Sequence, residues 1–263
     1  MKKTVNKSAK TKPNKRKQAA EATQKRLLLA AERLFAEHGY EGASARDICS
    51  RAKVDLAMIN YHFGSKLGLY RTVFLRRGEA LNNRRLEELD RVMETAKGRP
   101  ELAGLVRALV GPNIQLRNDA KLGGLAFARI IAHELIDPTA KRRNLIEQVF
   151  GKVAERFIEA LSLALPHASR AELHWAYHFT IGTLVLTMAN NGRIEKLSDG
   201  ACQVSDVERV LDHLVPFVAH GILGCVGKPG AAQAARPDEA VNEAINDRAA
   251  GFPKQNRRPE QIR

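Results

Sequence analysis

The sequence predicts an all-α fold of about nine helices, the first ones short and the later ones long. Three observations carry this. Apolar residues recur at spacings of three and four across most of residues 23–223. Ser, Asp, Gly and Pro stand where such helices begin and end. No period-two segment of strand length occurs.

Taken in order, the first helix covers Thr23–His38, with Leu27, Ala31, Leu34 and Phe35 on one stripe, and Gly39 is its stop. Ser44 is an N-cap with Asp47 in the first turn, and a short helix follows to Ala52. Asp55 opens a second short helix through Tyr61. Ser65 caps a longer helix to Ala96, which Gly98-Arg99-Pro100 ends. Further helices are expected at 101–117, 120–136, 138–164, 170–190 and 205–223. Asp119, Asp137-Pro138, Pro166 with Ser169, and Asn191-Gly192 punctuate them.

Composition bounds the class. The 263 residues carry 43 Lys+Arg against 29 Asp+Glu, a net charge of +14, and 44% of them are hydrophobic, enough for a substantial core. The charge is uneven. Residues 1–20 hold +8 with no acid, residues 225–263 hold +2, and the body between them only +4. The two ends have the composition of disordered segments. No apolar run approaches the roughly 18–20 residues of a membrane span, and no apolar core follows the basic N-terminus as in a secretory signal. Cys49, Cys202 and Cys225 are odd in number and far apart, which suits reduced thiols in a cytoplasmic protein.

The informative segment is Ser44–Tyr70, SARDICSRAKVDLAMINYHFGSKLGLY. Its two short helices meet at Ala52-Lys53-Val54. Ile48, Ala52, Val54, Ile59 and Phe63 suit a small shared core against the stripe of the first helix, because helices this short are marginal alone. That is a three-helix helix-turn-helix unit. The second short helix of such a unit enters the DNA major groove, and here it presents Asp55, Leu56, Met58, Asn60 and Tyr61 outward. Periodicity alone leaves open a plain three-helix core with no DNA role.

This segment resembles the DNA-binding domain of TetR-family transcriptional regulators. The likeness lies in the "AEHGYEGAS" after the first helix, the "RDI" of the next, and above all the "INYHFGSKLGLY" string, His62-Phe63-x-Ser65-Lys66-x-x-Leu69-Tyr70. Val54–Phe63 and the "NGRIEKL" at Asn191–Leu197 resemble the CecR-like branch. The sequence departs from the usual family pattern at Lys53, Asn60 and Leu67, which stand where Gly, an aromatic residue and Glu are common. The resemblance implies a TetR-like organisation. A basic arm would occupy 1–20, the helix-turn-helix domain 21–70, a ligand-binding and dimerisation domain 71–224, and a tail 225–263. It also implies roles for residues. Ser44, Tyr61, His62 and Lys66 would touch the DNA backbone, while Arg46, Met58 and Asn60, with Asp55 beside them, would lie nearest the base edges.

The rest follows from that resemblance together with the residue pattern. Wide apolar faces on the last two helices, including Trp175, Phe179, Leu184, Leu186, Val207, Leu211, Leu214 and Val218, predict a homodimer that reads a palindromic operator in double-stranded DNA. Phe127, Ile130, His133, Phe157, Trp175 and His178 are the candidate lining of an effector pocket. Arg129, His133 and Glu134 suit either such a pocket or solvent, and solvent is favoured for Arg129 and Glu134. The expected function is a ligand-responsive regulator, by default a repressor released by a small molecule. The alternative is a non-specific nucleic-acid-binding protein that uses the basic arm. His174 and His178 share a helix face, but no HExxH or Cys pair accompanies them, so no metal is expected. No nucleophile elbow or phosphate-cradling loop occurs, so neither an enzyme nor a cofactor is expected.

Overall fold

A computed structural model describes residues 15–116, 118–119, 124–189 and 192–227. Among these it has eleven helices and no strand. The expected arm over residues 1–14 and the expected tail beyond Gly227 lie outside the described residues.

The first helix, α1 (Lys15–Gly42), starts earlier than Thr23. Lys15–Ala20, expected to belong to the arm, are helical instead. Lys, Arg, Gln and Ala are strong helix formers and simply extend the amphipathic helix outward. Its stripe is as expected: Leu27, Ala31, Leu34 and Phe35 are all buried. At Gly39 the backbone leaves the helix (φ 67°, ψ −175°), and only glycine takes that conformation freely. The two short helices are α2 (Ala45–Ala52) and α3 (Ala57–Phe63), and the long one is α4 (Lys66–Thr95). Ser44 and Ser65 cap α2 and α4, accepting from the amides of Asp47 and Gly68.

Next come α5 (Leu102–Leu116) and α6 (Gly124–Ile136). The single helix expected over 138–164 is two, α7 (Ala140–Arg143) and α8 (Leu145–Ala164). Asn144 between them adopts a left-handed conformation (φ 51°), which an asparagine tolerates better than most residues. A Ser169–Glu172 capping box opens α9 (Arg170–Ala189), with each side chain bonded to the other's amide. The short α10 (Arg193–Leu197) precedes α11 (Val207–Cys225), which Asp206 caps.

Packing follows the apolar stripes. α1 lies against α2, α4 and α6, while α4 also packs on α5 and α8. α11 packs on α5 and α9. One continuous core therefore runs from Ile48 and Ile59 near the short helices, through Tyr70, Phe74 and Leu81 of α4, to Leu211 and Ile222 of α11.

Candidate nucleic-acid interface and effector cavity

The short-helix unit is held from inside. Ile48, Cys49, Ala52 and Ile59 are buried, and Val54 and Phe63 pack on them. Lys53 makes the turn in a left-handed conformation (φ 54°), where glycine is the unstrained residue, and its amide returns to the Ser50 carbonyl at 3.1 Å. The Asp55 carboxylate accepts from the Ala57 amide at 2.7 Å and so starts α3. Burial of Ile59 turns the opposite side of α3 to solvent. Asp55, Leu56 and Asn60 are exposed there, and Tyr61 is 75% exposed. Ser44 and Arg46 of the α2 start are exposed as well.

Three residues expected at DNA are less open than the others. Met58 is half-buried and packs on the core, because it lies one residue from Ile59 on a helix of only two turns. His62 is half-buried, between the rings of Tyr61 and Phe63. Lys66, expected at phosphate, turns inward: its ammonium donates to the carbonyls of Tyr40 (3.0 Å) and Ala43 (3.2 Å) and sits 4.3 Å above the Tyr40 ring. It ties the start of α4 to the turn after α1. The sequence reading also missed Gly68. A Cβ there would lie 1.9 Å from the Phe63 carbonyl oxygen, so α4 meets the end of α3 backbone to backbone. A basic cleft was missed too. Arg26 and Arg33 of α1 line it with Arg51 and Lys53, which come from a segment far away in sequence.

A buried polar cluster joins this unit to α6 and α7. The Tyr70 hydroxyl donates to Glu134 at 2.9 Å, and Arg143 donates to both Glu134 oxygens, at 3.2 and 2.9 Å, and to Asp137. The Arg143 guanidinium also lies 4.9 Å from the Tyr40 ring centre. Glu134 was expected in solvent but is buried here, because Arg143 and Tyr70 satisfy its charge. Arg129 is exposed, as expected. Burial, then the Glu134 charge, push the Tyr70 phenol above its usual range. The Arg143 hydrogen bond, then those of Thr139, hold Asp137 down at about 2. Although burial opposes it, the two carboxylates hold the Arg143 guanidinium above its usual range. His133, expected in the effector pocket, belongs here: its ring is 3.5 Å from where a Cβ on Gly39 would stand.

A candidate effector cavity lies deeper, between α4, α5, α6, α8 and α9. It has a volume of about 230 Å³. Ile131, Leu135, Ile146, Phe150, Ile181 and Met188 supply apolar walls, and Arg85, Asn113, Tyr177 and His178 supply polar groups. Of the six residues expected to line the effector pocket, His178 alone lines this cavity. Phe127, Ile130 and Phe157 are wholly buried in the core, and Trp175 is exposed, stacked on Phe179 at 5.4 Å. Helical spacing identifies apolar residues but does not say which neighbour each faces. A second cavity of about 510 Å³ lies beside Thr187, Ile194, Cys202 and His213, but no buried charge faces it.

The expected interface residues divide. Leu184, Leu211, Leu214 and Val218 are buried within the protomer, since the two helices also face α5 and each other. Phe179 and Leu186 are exposed, the latter at 79%, and Phe217 (70%), Leu223 and Trp175 join them. The hydroxyls of Thr183 and Thr187 bond back to carbonyls of α9, which leaves that helix few free polar groups. His174 bonds the Arg170 carbonyl of its own helix, and no cluster of three metal-ligating side chains occurs among the described residues. No helix among them is long and apolar enough to cross a membrane.

A helix-turn-helix with an exposed α3 is joined to an all-helical body that holds a cavity. Residues 27–73 match the family model described as bacterial regulatory proteins, tetR family. Residues 107–221 match that of the tetracyclin repressor-like C-terminal domain. Together these span more than half of the chain, which belongs to the TetR family of transcriptional regulators, with a ligand-binding C-terminal domain.

Solved structures share the fold at low identity. The fatty acid degradation regulator FadR from Bacillus halodurans is 17% identical with a TM-score of 0.52, the match covering 75% of this chain and 98% of that one. HlyIIR, a hemolysin II transcriptional regulator, is 23% identical with a TM-score of 0.51, over 74% and 98% of the two chains. FadR from Bacillus subtilis, solved in complex with stearoyl-CoA, is 16% identical with a TM-score of 0.51, over 75% and 98%. No curated protein matches the chain.

Proposed function

We propose that this chain is a repressor that binds a palindromic operator as a homodimer and leaves it when a small molecule fills the cavity between α4 and α9. The observation that carries the reading is the short α3, pinned by Ile59 on one side and exposing Asp55, Asn60 and Tyr61 on the other. Asn60 is suited to pair bidentately with an adenine, and Arg46 with a guanine. Tyr61, Ser44 and the basic cleft of Arg26, Arg33 and Lys53 hold phosphates and set the register. Lys66 acts through the fold, by fixing α4 to the turn after α1.

The exposed face of Trp175, Phe179, Leu186, Phe217 and Leu223 meets the same face of a second copy across a twofold axis. The two recognition helices then match half-sites about 34–36 Å apart. We assign the chain to the CecR-like branch on the Val54–Phe63 string.

Coupling runs along α4 and α6. α4 carries Arg85 at the cavity and Gly68 at the end of α3. α6 carries Ile131 and Leu135 at the cavity and Glu134 on the Tyr70–Arg143 cluster. A ligand that shifts either helix moves α3 relative to its partner, with a coupling free energy of about 1–3 kcal/mol.

The test is a gel shift with the chain's own promoter. The Asn60→Ala, Tyr61→Ala double variant should fold as the parent does and lose at least about tenfold in affinity, since each base contact contributes about 1–3 kcal/mol. Parental affinity in that variant refutes the docking.

A further inference from the structure

We propose that the cavity between α4 and α9 takes a small organic monoanion, an acid group on an apolar body, with Arg85 as its counter-charge. This rests on reading that cavity as the effector site and adds the chemical class of the effector.

Arg85 is 4% exposed in the middle of α4 and lines the cavity. It makes no ion pair or hydrogen bond among the described residues, its Nε is buried without a partner, and its guanidinium lies 5.3 Å from the Phe150 ring centre, with the Tyr177 phenol as its electrostatic neighbour in the cavity. The one other arginine buried to this degree among the described residues, Arg143, is paired with Glu134 and Asp137, and even the part-buried Arg77 is paired with Glu32 at 2.9 Å. Burial pushes the Arg85 guanidinium down to about 10, which still leaves it a cation at neutral pH. A buried cation without an anion is strongly disfavoured, and an anionic ligand in the cavity would supply the charge that the fold leaves unmatched.

The remaining walls define the rest of the ligand. Ile131, Leu135, Ile181, Leu184, Val185 and Met188 are apolar and call for an apolar body. Asn113 is buried with its Oδ1 unpartnered, an acceptor that suits a hydroxyl or N–H on the ligand body and not the acid group itself. Glu147 lines the cavity and is exposed, which disfavours a second negative charge toward the opening. The volume of about 230 Å³ is smaller than the roughly 300–1,000 Å³ of drug-sized sites, so the body is small.

The test uses the full chain with n-alkanoates from butyrate to dodecanoate and the matched alcohols, and benzoate with benzyl alcohol, read by calorimetry and thermal shift. At least one acid should bind about tenfold or more tightly than its alcohol. Arg85→Met should remove that preference and leave the alcohol's affinity unchanged. The ligand-free Arg85→Met protein should melt at or above the parental Tm, because an apolar side chain replaces an unpaired charge. Arg85→Gln serves as a second variant with the same expected loss. Acids and alcohols that bind alike, or an Arg85→Met protein well below the parental Tm, would overturn the proposal. If both probe classes bind alike and Ala154→Phe, which fills the cavity, abolishes both, the effector-site reading stands and the anion falls. If no binding responds to Ala154→Phe, both fall.

Discussion

Arg143→Met tests the joint between the DNA-binding unit and the ligand-binding body. The Glu134 side chain is fully shielded and the Arg143 side chain only 6% exposed, with 2.9 Å between them. Removing the guanidinium leaves a buried carboxylate that has, among the described residues, only the Tyr70 hydroxyl as a donor. Breaking one partner of a buried pair costs about 3–5 kcal/mol. In a body of this size that corresponds to a fall in Tm of roughly 6–20 °C. Adding Glu134→Gln removes the stranded charge but keeps an acceptor for Tyr70, so the double variant should recover about 2–3 kcal/mol of the loss. Urea denaturation at neutral pH measures both. Operator affinity with and without effector should then show the double variant folded but poorly coupled, since Tyr40 and Tyr70 have lost the cation they share with α6. Additive single costs, or an Arg143→Met loss below about 1 kcal/mol, would refute the reasoning.

Gly68→Ala should destabilise the chain by about 3 kcal/mol and weaken operator binding, because its Cβ meets backbone at 1.9 Å; denaturation and gel shift report it. Asp137 has its folded value depressed to about 2, so its contribution is present above the unfolded value near 3.8 and is lost as pH falls toward 2; Asp137→Asn should flatten the acid limb of a stability–pH curve over that window. Leu186→Glu with Phe217→Glu should convert a dimer into a folded monomer by light scattering; an unchanged mass would place the interface elsewhere. Deleting residues 1–14 should lower affinity for all DNA and reduce its salt dependence while operator preference persists. Loss of that preference would favour the non-specific binder instead.

Much of the fold was legible because its signals are local. Ser44 and Ser65 cap the helices they were expected to cap, Ser169 stands at a break that was expected, and Gly39 departs from the helix where a stop was expected. The break at Asn144 was not legible, since asparagine at a positive φ looks like any polar residue on a helix. Most of the exposed side of α3 was legible from one buried position, Ile59, but Met58 beside it was expected outward and is half-buried. Lys66 was not: its bonds go to Tyr40 and Ala43, more than twenty residues away.

The sequence by itself determined the helical class, the caps of the short helices and the turn at Lys53, because each depends on neighbours within a few positions. Only the tertiary structure decided which apolar side chains are core, cavity wall or outer face. Phe127, Met188 and Phe217 look alike along the chain, yet the first is core, the second lines the cavity and the third is exposed. Only tertiary structure separated Arg143, held between two carboxylates, from Arg85, held by none. The value of a charge depends on what lies within a few ångströms of it, and the partners of Arg143 come together only when α6 and α7 fold against each other.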